Sequence, residues 1–121
     1  MSFAPGQVWT YPETEDVPQL LVTIGRIDSA ESLGADPGNS DVISVSLRAA
    51  DEDWPSVGHL PFAAPALEGG ELVMEDATLP DGFTEGYETW QAAFRQGDAG
   101  VFTIGPAAAF ATVLEALSAK E

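Results

Sequence analysis

His59 is the only histidine in the 121-residue chain, and so the only side chain whose ordinary pKa lies near neutrality. It stands in Gly58-His59-Leu60-Pro61-Phe62. As a general base in a nucleophilic triad it would need a serine and a carboxylate brought beside it. The strained Gly-x-Ser-x-Gly turn that presents such a serine is missing. A zinc ion held by one histidine and no cysteine would have to complete its shell with carboxylates alone. Flanked by Leu60 and Pro61, the imidazole reads as a structural residue. No catalytic residue, metal site or cofactor follows from it.

Carboxylates are the commonest chemical group here. Asp51-Glu52-Asp53, Glu75-Asp76 and the trio Asp36, Asn39 and Asp41 can each attract a hard cation. None has the alternating oxygen ligands and distal glutamate of a calcium loop. Two-carboxylate hydrolysis depends on a fixed separation across a cleft, which spacing along the chain does not set. Phosphate-cradling loops of the Gly-x-x-x-x-Gly-Lys and Gly-x-Gly-x-x-Gly types are absent.

Trp54 is the most informative aromatic residue. It follows Asp51, Glu52 and Asp53 directly. An indole beside acids suits a basic partner: the ring supplies contact area and the carboxylates steer the encounter. Asp51, Glu52, Asp53 and Trp54 are therefore the first candidate binding residues. The alternative for Trp54 is to fold back as a lid on the core. A second candidate site is a pocket around His59, Tyr87 and Trp90.

The charge balance bounds the partners. Twenty acids oppose four bases, for a formal net charge of −16. Each half of the chain carries ten acids and two bases, so the charge is not an appended tail. Such a surface repels nucleic-acid phosphates and anionic lipid, and attracts cations and basic proteins. Nucleic acid and membrane are excluded as partners on this ground. Without cysteine, disulfides and thiolate chemistry are excluded too. The opening Met-Ser-Phe-Ala-Pro-Gly has neither the basic region nor the apolar stretch of a signal peptide. A cytoplasmic location is the expectation. Apolar residues make up 45% of the chain and fall in patterned runs, which argues for a folded domain despite the charge.

The elements that must position these groups follow from periodicity. Gln7–Tyr11 reads as a short strand after the Pro5-Gly6 turn. Gln19–Ile27 is apolar on both faces, as in a strand covered on both sides, with a bulge at Gly25 where the alternation changes phase. Residues 28–41 form a long polar connection. Val42–Arg48 alternates cleanly, with Ser44, Ser46 and Arg48 on a wet face. Val57–Phe62 is a further strand weakened by Pro61. Residues 63–76 are ambiguous: Ala63–Glu68 has helical composition broken by Gly69-Gly70, and Glu71–Met74 fits a short helix or a strand. Phe83, Tyr87, Trp90 and Phe94 recur at helical spacing, and Gly97 stops the helix. Val101–Ile104 reads as a short strand. Pro106 opens a closing helix whose buried stripe is Phe110, Val113, Leu114 and Leu117. Strands lead and helices follow, so the expected fold is a single α+β domain over residues 1–121. It is a strongly bent antiparallel sheet of about four or five strands backed by two C-terminal helices.

Three stretches carry a resemblance: Pro5-Gly6-Gln7-Val8-Trp9, Gly58-His59-Leu60-Pro61-Phe62, and Gly86-Tyr87-Glu88-Thr89-Trp90 followed by Gly100-Val101-Phe102-Thr103-Ile104. In that order they resemble a family of small uncharacterised bacterial proteins. The resemblance implies a bacterial setting and no catalytic residue. The functional expectation is a non-enzymatic interaction domain that binds a basic protein, an immunity or antitoxin-like role being one version. The alternatives are an enzyme or small-ligand binder using the histidine pocket, and a structural subunit of a larger assembly.

Overall fold

The computed structural model describes residues 3–15, 17–34, 40–51, 53–54, 56–97 and 99–119, with side chains through 116. Five strands form one antiparallel sheet: β1 (Val8–Tyr11), β2 (Leu20–Asp28), β3 (Val42–Ala49), β4 (Val57–Ala63) and β5 (Glu71–Met74). Their order across the sheet is β4-β3-β2-β1-β5. Two helices follow, α1 (Phe83–Arg95) and α2 (Pro106–Ala119).

β2 lies at the centre and is largely apolar on both faces. β3 beside it is apolar on one face and carries Ser44, Ser46 and Arg48 on the other, and the two helices pack on opposite sides of the sheet. On one side Trp9, Leu20, Val22, Ile24, Val45, Leu47 and Phe62 pack with Ala109 and Phe110 of α2. On the other, Val42 packs with Phe83, Tyr87 and Trp90 of α1. Ser44 is fully buried on this second side, and Ser46, at 8% exposure, lies low beside it, so the expected wet face of β3 is open chiefly at Arg48. Alternation of polarity marks the two faces of a strand but does not say whether a helix later covers the polar one.

The bulge in β2 is where the alternation shifts: Ile24 pairs with Val45 and Arg26 with Ser44, leaving Gly25 as the extra residue. Its lack of a side chain has a use. A Cβ there would lie 2.2 Å from the Phe83 ring, so only glycine lets α1 seat Phe83 on the sheet. A second bulge lies in β4: Val45 pairs with Leu60 and Leu47 with Val57, so Gly58 and His59 together oppose Ser46.

Within residues 63–76, Glu71–Met74 takes the strand form of its two expected ones, and Ala63–Glu68 forms no α-helix. A 3-10 turn at Ala64–Leu67 carries the chain from β4 across the sheet to β5. Buried Leu67 pins that crossing, and its carbonyl accepts a 2.5 Å hydrogen bond from the Tyr11 hydroxyl. The sheet is not strongly curled, which corrects the expected bend. β4 and β5 stay at opposite edges and do not pair with each other. Val101–Ile104 is not a strand; Phe102 alone makes a parallel bridge to Phe62. That bridge still matters, because Ala63 donates to the Phe102 carbonyl and Phe102 to the Pro61 carbonyl, covering the outer edge of β4. Gly97 ends α1 with φ +83°. In α2 Phe110 is buried and Val113 and Leu114 half-buried; the expected role of the Leu117 side chain lies outside the described residues.

Candidate functional site

Four features bear on function. The first is the environment of His59. The β4 bulge turns its ring toward α1, where the ring centroids of Phe83, Tyr87 and Trp90 lie 5.5, 5.8 and 5.7 Å away. Gly86 lets the helix come this close: a Cβ at Gly86 would stand 2.9 Å from that of His59. The imidazole Nε2 is buried with no hydrogen-bond partner among the described residues. Burial pushes the His59 pKa down to about 4, so the ring is neutral at physiological pH. The Tyr87 hydroxyl donates to Asp28 Oδ2 at 2.7 Å and accepts from Gln91 Nε2 at 3.1 Å. Burial first, and then the bond to Asp28, push Tyr87 up to about 12. Arg26 completes the group, pairing with Asp28 at 3.2 Å and lying 4.8 Å above the Tyr87 ring. Trp90 Nε1 donates to the Gly100 carbonyl at 2.9 Å. His59, Tyr87 and Trp90 thus meet, and they meet as packed rings. A neutral imidazole walled by aromatic carbon suits packing better than proton transfer.

The second feature is the acidic turn between β3 and β4. Asp51 Oδ1 accepts from the Asp53 backbone N–H at 3.0 Å, a local side-chain turn. Trp54 is 36% exposed, and its ring lies 6.2 Å from that of Phe110 on α2. The indole therefore leans on the core with one face and meets solvent with the other. Asp51, Asp53 and Trp54 are brought together; Glu52 lies outside the described residues.

The third feature is β5, one of the two forms expected for Glu71–Met74, whose exposure the sequence pattern does not show. Leu72, Val73 and Met74 are exposed by 42%, 55% and 55%. They occupy a sheet edge whose outer side pairs with no other strand among the described residues. Acids bracket them, Glu71 before and Glu75 and Asp76 after, all exposed. The strand is four residues long and bulged at Val73, because Val8 pairs with Met74 and Trp9 with Leu72. Short, bulged edges resist addition of a further strand, so the side chains rather than the backbone are what this edge offers. The one signal in the sequence was an apolar triplet between charges. Such a triplet looks the same whether it is buried or exposed.

The fourth feature is a groove of about 360 Å³ on the sheet face that α1 leaves free. Thr23, Ser46 and Arg48 form part of its floor, Ser56 lies at one side, and Met74 and Leu79 close it. His59 does not line it.

Among the described residues no three histidine, aspartate or glutamate side chains group closely enough to hold a metal ion. No described helix is long and apolar enough to cross a membrane. No protein-family model, curated protein or solved structure matches the chain.

Proposed function

We propose that this chain is a non-enzymatic interaction domain that binds a basic protein. The observation that carries the reading is the apolar centre of β5, Leu72, Val73 and Met74, exposed at an uncovered sheet edge and rimmed by Glu71, Glu75 and Asp76. Exposed apolar area inside a charged rim is the usual make-up of a protein-binding patch. The rim and the net charge of −16 define the partner: an apolar knob surrounded by lysine and arginine. The Asp51, Asp53 and Trp54 turn is a second acidic aromatic point of contact, its indole partly exposed and tilted against Phe110. The neutral, half-buried His59, packed against three aromatic rings, supports the non-enzymatic side of the reading.

The test is a reconstituted complex. Proteins that co-purify from the native cell are identified, and the complex is re-formed from purified components. A partner with a pI above about 9 is expected. Its affinity falls steeply between about 50 mM and about 500 mM salt. Val73→Asp, which removes the apolar centre while keeping the acidic field, weakens it at least about tenfold. An acidic partner, or a complex indifferent to both salt and Val73→Asp, would overturn the reading.

A further inference from the structure

We propose that the groove beside α1 is a binding site for a small organic monocarboxylate, its acid group held by Arg48 and its apolar body lying against Leu21, Met74 and Leu79. The first observation is the groove itself. At about 360 Å³ it falls within the size range of small-molecule sites and combines apolar walls with a few convergent polar groups.

The second observation is the state of the bases. The chain has only four, and twenty acids are available to pair with them. Arg26 is bound to Asp28 and lies over Tyr87. Arg95 Nη2 donates to the Ser32 carbonyl at 3.4 Å. Arg48 is exposed on the floor of the groove, and its side chain has no hydrogen bond or ion pair among the described residues. Its guanidinium is a planar set of donors that matches a carboxylate in a bidentate fork.

The third observation is the placement of hydroxyls. Thr23, Ser46 and Ser56 line the same groove and can complete the hydrogen bonding of a bound acid. Ser46 Oγ makes only a long 3.4 Å bond to the Val57 carbonyl, so exchanging it for a ligand oxygen costs little.

The overall charge then sets the ligand class. A molecule with net charge −16 repels anions at long range, and each further ligand charge adds to that repulsion. A single carboxylate gains the Arg48 contact at the smallest electrostatic cost, and the apolar body supplies the remaining binding. Dicarboxylates and phosphates carry the repulsion twice. The groove shares Val73 and Met74 with the β5 patch, whereas Arg48, which carries the acid contact, lies outside that patch, so Arg48→Gln tests the groove separately from the protein-binding reading.

The test is an amide-resolved NMR titration of the full chain with a panel of straight-chain monocarboxylates from butanoate to decanoate, together with benzoate. The matching alcohols and dicarboxylates serve as controls. At least one monocarboxylate is expected to saturate below about 10 mM. The shifts should centre on Thr23, Ser46 and Arg48, with alcohol and dicarboxylate binding at least about tenfold weaker. Arg48→Gln, at an exposed position, leaves the remaining spectrum in place and weakens the monocarboxylate by about tenfold or more, with Arg48→Lys in between. The proposal is overturned if no panel member saturates, if acid and alcohol bind alike, or if Arg48→Gln binds as the parent does.

Discussion

His59 shows at the scale of one residue how a titratable group can serve as filler. Its Nε2 is buried without a partner among the described residues, a defect that usually costs about 1–3 kcal/mol, and three aromatic rings surround it. The pKa, lowered to about 4 by burial, gives the defect a pH signature. In the unfolded chain the imidazole takes a proton near pH 6.5, whereas in the folded chain it resists until about 4. Stability is therefore lost as pH falls from 6.5 toward 4, because the unfolded state binds the proton first. His59→Phe keeps a ring against Phe83, Tyr87 and Trp90 and removes the titration. Urea unfolding at a series of pH values should show the variant gaining on the parent across that window, with a constant difference above pH 7. Comparing the two proteins cancels the carboxylates that titrate in the same range. Parallel pH profiles would rule the explanation out. The sequence marks His59 as structural from its neighbours Leu60 and Pro61. It does not reveal the bulge that turns the ring toward α1, since a bulge depends on what the neighbouring strand does at Ser46.

The seating of helices on the sheet is set by residues without side chains. Phe83 opens α1 and lands on Gly25, the extra residue of the β2 bulge. Gly25→Ala places a methyl within the Phe83 ring, so α1 must shift or Phe83 must leave its place. Overpacking of this kind costs about 1–3 kcal/mol. Denaturant unfolding should show that loss, and the double variant Gly25→Ala/Phe83→Leu should recover part of it. Loss without any recovery would mean that the backbone of the bulge, and not the clash, sets the cost. Elements with strong periodicity, β2, β3 and α1, are legible in the chain. The break at Gly25 is legible as well, because a phase change in a long apolar strand has few other causes. Elements that tertiary contacts define are not. Residues 101–104 look like a strand, yet only Phe102 makes a bridge, to Phe62 on β4. Residues 63–76 resist reading because a crossing held by Leu67 and Tyr11 needs no local period.

At the scale of the whole molecule, charge opposes compaction. The net charge is −16, and the described residues contain one ion pair, Arg26 with Asp28. Folding brings the acids closer together, so screening should favour the folded state. Raising salt from about 20 mM to about 500 mM is expected to add about 1 kcal/mol, seen as a rise of about 3–6 °C in Tm by differential scanning calorimetry. A flat or falling Tm would mean that the acids lie too far apart to repel. The charge itself is plain in the composition, and so is the kind of partner it invites. The place of contact is not: Leu72, Val73 and Met74 are ordinary strand residues until the fold leaves them at an edge. That edge also has a history in synthesis. Thr10 pairs with Glu71, so β1 must wait until the chain has emerged past β4 and its crossing before its outer backbone is satisfied. On a ribosome the meander of the first four strands stands with that flank open. Residues 1–60 already carry ten acids against two bases, and like charge of that size opposes the approach of a second such flank.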